Sequence, residues 1–209
     1  MFDYFYKPIK ISADKKVFWT SDTHFGHKCE NWENKLWAER GYSSVEEMDS
    51  VQIQNWNSRV SRQDIVFHLG DFCLGMGSDE KFKELIQVLN FETLYCMPGN
   101  HPAGWHQCYK NSINGEYLVA LNKKIVFLPN YVEAIYRRQI IVMSHFPIAS
   151  FNKSKDGAWM LHGHCHNMFR LDLGKCLDIG IDQFPNLASF EDIAEKMAEK
   201  EIKAFDHHE

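Results

Sequence analysis

Val17-Phe18-Trp19-Thr20-Ser21-Asp22-Thr23-His24-Phe25-Gly26-His27 is the stretch on which the reading of this chain turns. Four residues, Val17 to Thr20, read as a buried strand, and an Asp-x-His pair stands just past its end. At alternate strand-end positions a carboxylate and an imidazole point the same way into a crevice above a sheet. Together they offer a hard oxygen and a nitrogen, a donor set suited to Zn²⁺, Mn²⁺ or Fe. By itself the pair is weak, being more often the chemistry of an ordinary loop. Its weight comes from four further polar clusters, each again at the end of an apolar run.

Around that stretch the bulk composition is that of a globular protein. The chain has 209 residues, 44% hydrophobic and 24% charged, which fits one domain over 1–209 with a sizeable core. A net charge of −5 argues against broad coating of nucleic acid through phosphate contacts. The six cysteines (29, 73, 96, 108, 165 and 176) form no C-x-x-C pair. No apolar run approaches a membrane span, and Met1-Phe2-Asp3-Tyr4 does not open a signal peptide. Reduced thiols and a cytoplasmic protein are the expectation. Eleven histidines are many for this length, and His207 and His208 in the tail are read as solvated.

Outward from the opening motif the chain alternates strand and helix. Residues 1–16, aromatic then basic, read as an edge strand leading into the first core strand. Residues 29–41 hold Trp32 and Trp37 and read as a loop or short helix overhanging a site. Ser44-Val45-Glu46-Glu47 is a capping box, opening a helix to about Val60 through Val45, Met48, Val51, Ile53 and Trp56. Asp64 to Leu69 is a second strand, followed by Gly70-Asp71. Ser78-Asp79 starts a helix carrying Phe82, Leu85, Ile86 and Leu89, and Leu94 to Met97 is a third strand ending in Pro98-Gly99-Asn100-His101. This order predicts a parallel core sheet with right-handed crossovers. Beyond Glu116 the helical period stops. Strands are expected at Tyr117–Leu121, Lys124–Leu128, Tyr131–Tyr136 and Gln139–Ser144, with turns at Asn122-Lys123 and Arg137-Arg138. Trp159-Met160-Leu161 ends in His162-Gly163-His164-Cys165-His166, and Cys176 to Gly180 is a last strand. Ser189 caps a closing helix to about Lys200.

The polar clusters are thus Asp22/His24, Asp71, Asn100/His101, His145 and His164/His166, all at strand ends. In an open α/β sheet ligands bind beyond the carboxyl ends of the strands, where distant loops converge. Gly70, Gly99 and Gly163 fit, since glycine lets backbone turn sharply and approach an ion or phosphate. Each cluster singly admits a bland reading, as a turn cap or a core hydrogen bond. Five in succession do not.

Asp22-x-His24, Gly70-Asp71, Gly99-Asn100-His101, His145 and Gly163-His164-Cys165-His166, in that order, resemble the calcineurin-like metallophosphoesterases. The resemblance spans about Val17 to Ile181 and implies an α/β fold, a two-sheet β-sandwich flanked by helices in α-β-β-α layers. It implies a binuclear centre for two divalent ions, Mn²⁺ first, with Fe, Zn²⁺ and Ni²⁺ as alternatives. Asp22, His24 and His166 would hold one ion, Asn100, His145 and His164 the other, and Asp71 would bridge them. A hydroxide bridging the ions would attack a phosphomonoester or phosphodiester, and His101 would bind phosphate and protonate the leaving oxygen. His27 would reach the substrate phosphate with Asn100 and His101, or make a plain loop hydrogen bond. His68 is expected in a supporting role, and Cys165 is expected to point away from metal by strand-like alternation. The chain lacks GDxVDRG, having Phe72-Cys73-Leu74 after Gly70-Asp71, and Pro102 follows His101 where relatives often carry an acid. A protein Ser/Thr phosphatase is therefore not expected. The compact bacterial and phage-type phosphoesterases, with DTHFGH and HLGDF signatures, are the nearest match. The substrate expected is a small phosphate ester, led by nucleotides or nucleic-acid ends, with Trp32, Trp37, Trp105 and Trp159 either stacking a base or packing. A repair-type nuclease is the alternative enzyme. A metal-free interaction scaffold on the same fold is the alternative outside enzymes, and the presence of all seven ligands argues against it.

Overall fold

The computed structural model describes residues 7–28, 35–74, 79–101, 112, 115–169, 171–203 and 205. Eleven strands and four α-helices lie among them: β1 Ile9–Lys10, β2 Val17–Thr20, α1 Leu36–Glu39, α2 Val45–Arg59, β3 Ile65–His68, α3 Asp79–Val88, β4 Thr93–Cys96, β5 Glu116–Ala120, β6 Lys123–Phe127, β7 Tyr131–Tyr136, β8 Gln139–Ser144, β9 Trp159–His162, β10 Cys176–Asp178, β11 Ala188–Ser189 and α4 Phe190–Ala198. They form a six-stranded sheet, β11-β2-β3-β4-β6-β5, and a five-stranded sheet, β1-β7-β8-β9-β10. The expected parallel core of β2, β3 and β4 is extended by β6, also parallel, with β11 and β5 antiparallel at the edges.

β2 and β3 are buried along their whole length, which explains why both read as continuous apolar runs rather than alternating ones. Successive side chains still part company. Trp19 and Phe67 face the other sheet, in a cluster with Val132, Tyr136, Met143 and Leu161, while Phe18 and Val66 face the helices, packing with Trp56, Phe82 and Ile86. The Trp19 and Phe67 rings stack at 6.0 Å. α4 closes the space between the sheets through Ile193 and Met197. Trp159 is part of that packing, stacked on Phe190, and is therefore a core residue.

Two local expectations come out differently. β1 is an edge strand, but of the five-stranded sheet, parallel to β7, so the chain changes sheets before β2. At α2, the Ser44 hydroxyl accepts from the Glu47 N–H, yet the Glu47 carboxylate accepts from Ser43 N–H and hydroxyl, so the box closes one residue early. At α4 the reciprocal Ser189–Asp192 box is complete. The β7–β8 hairpin turns through Arg137 and Arg138 at φ +48° and +70°, without the usual Gly or Asn.

Candidate metal centre

The strand ends do not stop pairing when the strands stop. Asp22 N–H donates to Gly70 O (3.0 Å), His24 N–H to Asp71 O (3.0 Å), Phe25 N–H to Phe72 O (3.0 Å) and Leu74 N–H to Phe25 O (3.0 Å). Phe72-Cys73-Leu74, in place of the phosphatase motif, thus zips the loop after β3 to the loop after β2. Across the other sheet, Gly163 N–H donates to His145 O (3.0 Å). Asp22 and His24 do not converge by pleat alternation, as expected from sequence. Both have left-handed backbones, with φ +58° and +50°. Asp71 (φ +54°), His164 (φ +67°) and His166 (φ +46°) share that conformation. Five of the expected ligands therefore sit in a region that L-residues visit at a cost of ~1–3 kcal/mol, and such strain gathers at functional sites. It also removes the strand-like alternation on which Cys165 was expected to point away; Cys165 belongs to neither ligand group described below. Close approach explains two glycines: a Cβ on Gly70 would lie 2.5 Å from His145 Nδ1, and one on Gly163 would run into Ser21 Oγ and Asp22 Oδ2.

Two groups result that can hold a metal ion: Asp22, His24 and His166, and Asp22, Asp71 and His145, with the donor atoms of each within 4.8 Å of one another. Asp71 Oδ2 lies 3.7 Å from His24 Nε2 and 3.4 Å from His145 Nε2. Asn100 Oδ1 lies 2.6 Å from His145 Nε2 and 2.8 Å from His164 Nδ1. All the expected ligands thus meet at one place. Asp22, His24, Asp71 and His145 are buried, while Asn100 and His164 are exposed. The buried part carries orphaned donors: among the described residues Asp22 Oδ1 and both ring nitrogens of His24 have no hydrogen-bond partner. Buried polar atoms are ordinarily satisfied. A cation bound by them would satisfy the carboxylate oxygen and one imidazole nitrogen, so these residues fit a divalent ion.

Burial holds the His24 imidazole far below its usual pKa, against the pull of Asp71, which leaves it neutral and fit to ligate. Burial likewise pushes the Asp22 carboxyl up to about 6. Asp71 goes the other way: burial alone would raise it, but His145, the His101 N–H and His24 together hold it well below the carboxylate range. A bound cation would favour ionisation of both carboxyls.

The supporting layer contains residues that the sequence did not point to. His145 Nδ1 lies 2.9 Å from Leu69 O, so Nδ1–H donates and Nε2 is free to ligate. His166 Nδ1 lies 2.8 Å from Asp182 Oδ2, and Arg40 grips that carboxylate through Nε and Nη2, each at 2.8 Å. His68 sits in a supporting place: it lies 3.0 Å from Thr23 Oγ1, which itself donates to Phe72 O, so Nε2–H donates and Nδ1 accepts the Gly70 N–H. Asp182 follows β10 as Asp71 follows β3, a signal that the same strand-end logic would have caught. Arg40 carries no such signal, since its partner is 142 positions away.

His101 donates its N–H to Asp71 Oδ1 (2.8 Å) and sets its ring edge-on to His24 at 5.6 Å. His27 stacks on His24 at 5.1 Å and lies 6.4 Å from His101. Both are half-buried at the same opening. Trp32, Pro102 and Trp105 lie outside the described residues. A cavity of ≈ 940 Å³ elsewhere, lined by Arg62, Phe91 and Leu121 among others, contains none of the candidate residues. No helix among the described residues is long and apolar enough to cross a membrane.

Known proteins resemble this chain in sequence or in fold. "Uncharacterized protein MJ1445" of Methanocaldococcus jannaschii is 32% identical over 153 residues, 73% of this chain and 70% of that protein. "Gene 66 protein" of Mycobacterium phage L5 is 26% identical over 205 residues, 85% of this chain and 91% of that protein. The crystal structure of AQ665, a protein of unknown function from Aquifex aeolicus, shares the fold, with a TM-score of 0.60 at 16% identity over 88% of this chain and all of that one. The family described as calcineurin-like phosphoesterase matches residues 15–208. By that match the chain belongs to the calcineurin-like phosphoesterases and is a metal-dependent hydrolase of phosphoric esters.

Proposed function

We propose that the centre is binuclear and that the enzyme hydrolyses small phosphate esters, with nucleotides or nucleic-acid ends as the leading class. The observation that carries the first part is the position of Asp71, whose Oδ2 stands between His24 and His145 at 3.7 and 3.4 Å. That carboxylate would be shared by an ion held by Asp22, His24 and His166 and an ion held by Asn100, His145 and His164. Two divalent ions, Mn²⁺ first, would supply an activated water and neutralise phosphoryl oxygens. The chain's own residues do the rest. His101 is anchored by its backbone to Asp71, which would set its imidazole beside bound ions, where it could donate a proton to the leaving oxygen. His27, Asn100 and His101 take the phosphate from the open side.

The exposure pattern supports a route of approach. Asn100 and His164 are exposed where the Asp22 side is buried, and Phe146 stands at that opening, 47% exposed, its ring edge-on to His164 at 4.5 Å and to His145 at 5.0 Å. A ring so placed can stack the organic part of a substrate, which favours aryl and nucleoside esters. A net charge of −5 favours small substrates or short ends over long duplex. Cys96, Cys165 and Cys176 carry free thiols, which supports the reading of a reducing compartment.

Elemental analysis with a substrate panel tests the reading. The wild type is expected to hold two Mn²⁺ per chain, and Asp71→Ala to lose metal and activity together. Two bound metals in Asp71→Ala would remove Asp71 as the shared ligand. Hydrolysis of long double-stranded DNA outpacing that of nucleotides, with a steep salt dependence, would replace the substrate class with the nuclease reading.

A further inference from the structure

Arg40 is the most heavily engaged side chain around the centre, and it touches no expected donor atom of the first ion directly. Its Nε and Nη2 form a two-pronged pair with Asp182 (2.8 Å each), while Nη2 also reaches Asp22 O (2.7 Å) and Nη1 reaches Thr23 O (3.3 Å). The side chains are 8% and 19% exposed. Asp182 then meets His166, whose Nδ1 lies 2.8 Å from Asp182 Oδ2 and 3.3 Å from Arg40 Nη2. A guanidinium can only donate, so one of these two contacts decides the tautomer. With Nδ1 bare, its lone pair would face a carboxylate oxygen at the shorter distance. Nδ1–H therefore donates to Asp182, and Nε2 is the nitrogen left for a metal.

The same loops are joined across the two sheets. Asp182 follows β10 of the five-stranded sheet, Asp22 follows β2 of the six-stranded sheet, and Ile181 N–H donates to Ser21 O (3.1 Å). Arg40 thus ties together the carbonyls of the Asp22 loop and the carboxylate that orients His166. Stability alone is a poor account of this arrangement, because a buried ion pair often does no better than a well-packed apolar pair. What the arrangement does secure is the relative position of Asp22 and His166, two of the three donors in one ligand group.

We infer that Arg40 and Asp182 are positioning residues for the first metal ion, holding His166 in its ligating tautomer and the Asp22 loop at ligating distance. This rests on the two-ion reading above. It makes retention of one ion, and not of the other, depend on the segment that carries Arg40.

The test is Mn²⁺ binding to the full chain by equilibrium dialysis, with thermal melting in chelator as the control for folding. Wild type is expected to bind two ions. Asp182→Asn is expected to bind one ion as before and the other ~10–100-fold more weakly, the usual cost of removing such an outer partner. Arg40→Lys keeps the charge and loses the fork, and is expected to weaken the same ion by a smaller factor. In a His166→Ala background, Asp182→Asn should weaken binding clearly less than it does in wild type, because one of the two ligands through which it acts is gone. A purely structural pair would weaken both ions alike and would remain additive with His166→Ala; either result overturns the inference. So does unchanged affinity in Asp182→Asn while wild type binds two ions. Wild type binding fewer than two would instead overturn the binuclear reading, and this inference with it. Should Asp182→Asn not melt cooperatively in chelator, Arg40→Lys decides by the same criterion: selective weakening supports, equal weakening or none refutes.

Discussion

Replacing His24 by leucine should separate what the residue does for metal from what it does for the fold. In the folded chain the imidazole is 3% exposed, and neither ring nitrogen has a hydrogen-bond partner among the described residues. Each unsatisfied buried polar atom costs ~1–3 kcal/mol, so without metal the ring carries a penalty of roughly 2–6 kcal/mol. Leucine removes that penalty. Against it stand the left-handed backbone at φ +50°, which leucine bears less well by about 1 kcal/mol. The stacks on His27 and His166, at 5.1 and 5.4 Å, are also lost, at ~0.5–1.5 kcal/mol each. The terms nearly cancel, so in chelator His24→Leu should melt close to wild type, although buried substitutions usually cost ~0.5–3 kcal/mol. In Mn²⁺ the two should diverge. An ion at a hundred times its Kd stabilises by about 2.7 kcal/mol, so two ions give wild type about 5 kcal/mol and the variant about half. At ~2–4 °C per kcal/mol for a chain of this size, wild type should gain on the order of 10–20 °C and His24→Leu on the order of 5–10 °C. Thermal melts in chelator and in graded Mn²⁺ read both quantities. A variant destabilised in chelator by more than about 2 kcal/mol would mean that the fold already satisfies those nitrogens without metal, and the reasoning fails. A variant that gains as much from Mn²⁺ as wild type would remove His24 from the ligands.

Three further outcomes are expected. His101→Ala should keep both metals and lose ~10²–10⁴-fold in kcat on an alkyl or nucleoside ester, but clearly less on a nitrophenyl ester of equal charge, whose leaving group departs unprotonated; equal losses on the two would leave His101 a phosphate-binding residue and no acid. Phe146→Ala should raise KM for nucleoside and aryl esters roughly 5-fold or more, since stacking a base is worth ~1–3 kcal/mol, with alkyl esters and metal content unchanged; parallel changes across all esters would rule out stacking. Asp192 accepts from the Ser189 N–H and hydroxyl and from Arg59, all at 2.7–2.8 Å. Burial works against its charge, but these hydrogen bonds outweigh it and lower its pKa. A carboxyl depressed in the folded state contributes stability at pH above its unfolded value, ~3.9, and loses it as pH falls through the folded one. Asp192→Asn should therefore cost about 1 kcal/mol at neutral pH, in line with a lost helix cap, and melting curves of variant and wild type should converge towards pH 3; a gap that widens in acid would contradict this.

The clusters Asp22/His24, Asp71, Asn100/His101, His145 and His164/His166 were legible because each follows an apolar run that is a strand for local reasons. Burial on both faces makes β2 and β3 four-residue hydrophobic blocks, and a glycine beside a polar residue marks where backbone must turn or approach closely. Family resemblance rests on those same local patterns. What local pattern does not carry is conformation and long-range pairing. Asp22 and His24 have spacing suited to a pleat, yet they converge through left-handed backbones, because the loop is zipped to Gly70, Asp71 and Phe72 rather than continuing the strand. Glu47 was legible as a cap, but the choice between Ser43 and Ser44 depended on how the chain entered the helix. Arg40 was silent, and Asp182 carried only the signal of its place after β10. An arginine after a short helix and an aspartate in a loop are ordinary surface residues until the order β11-β2-β3 in one sheet and β9-β10 in the other sets their loops side by side. Only then do they leave water together, and only then does an ion pair 142 residues apart in the chain come to support His166. The sequence by itself determined which residues can ligate and at which strand ends they stand, since side-chain chemistry and hydrophobic period are written locally. The tertiary structure decided which nitrogen each histidine presents, because a tautomer is set by the partner packed against the opposite edge of the ring.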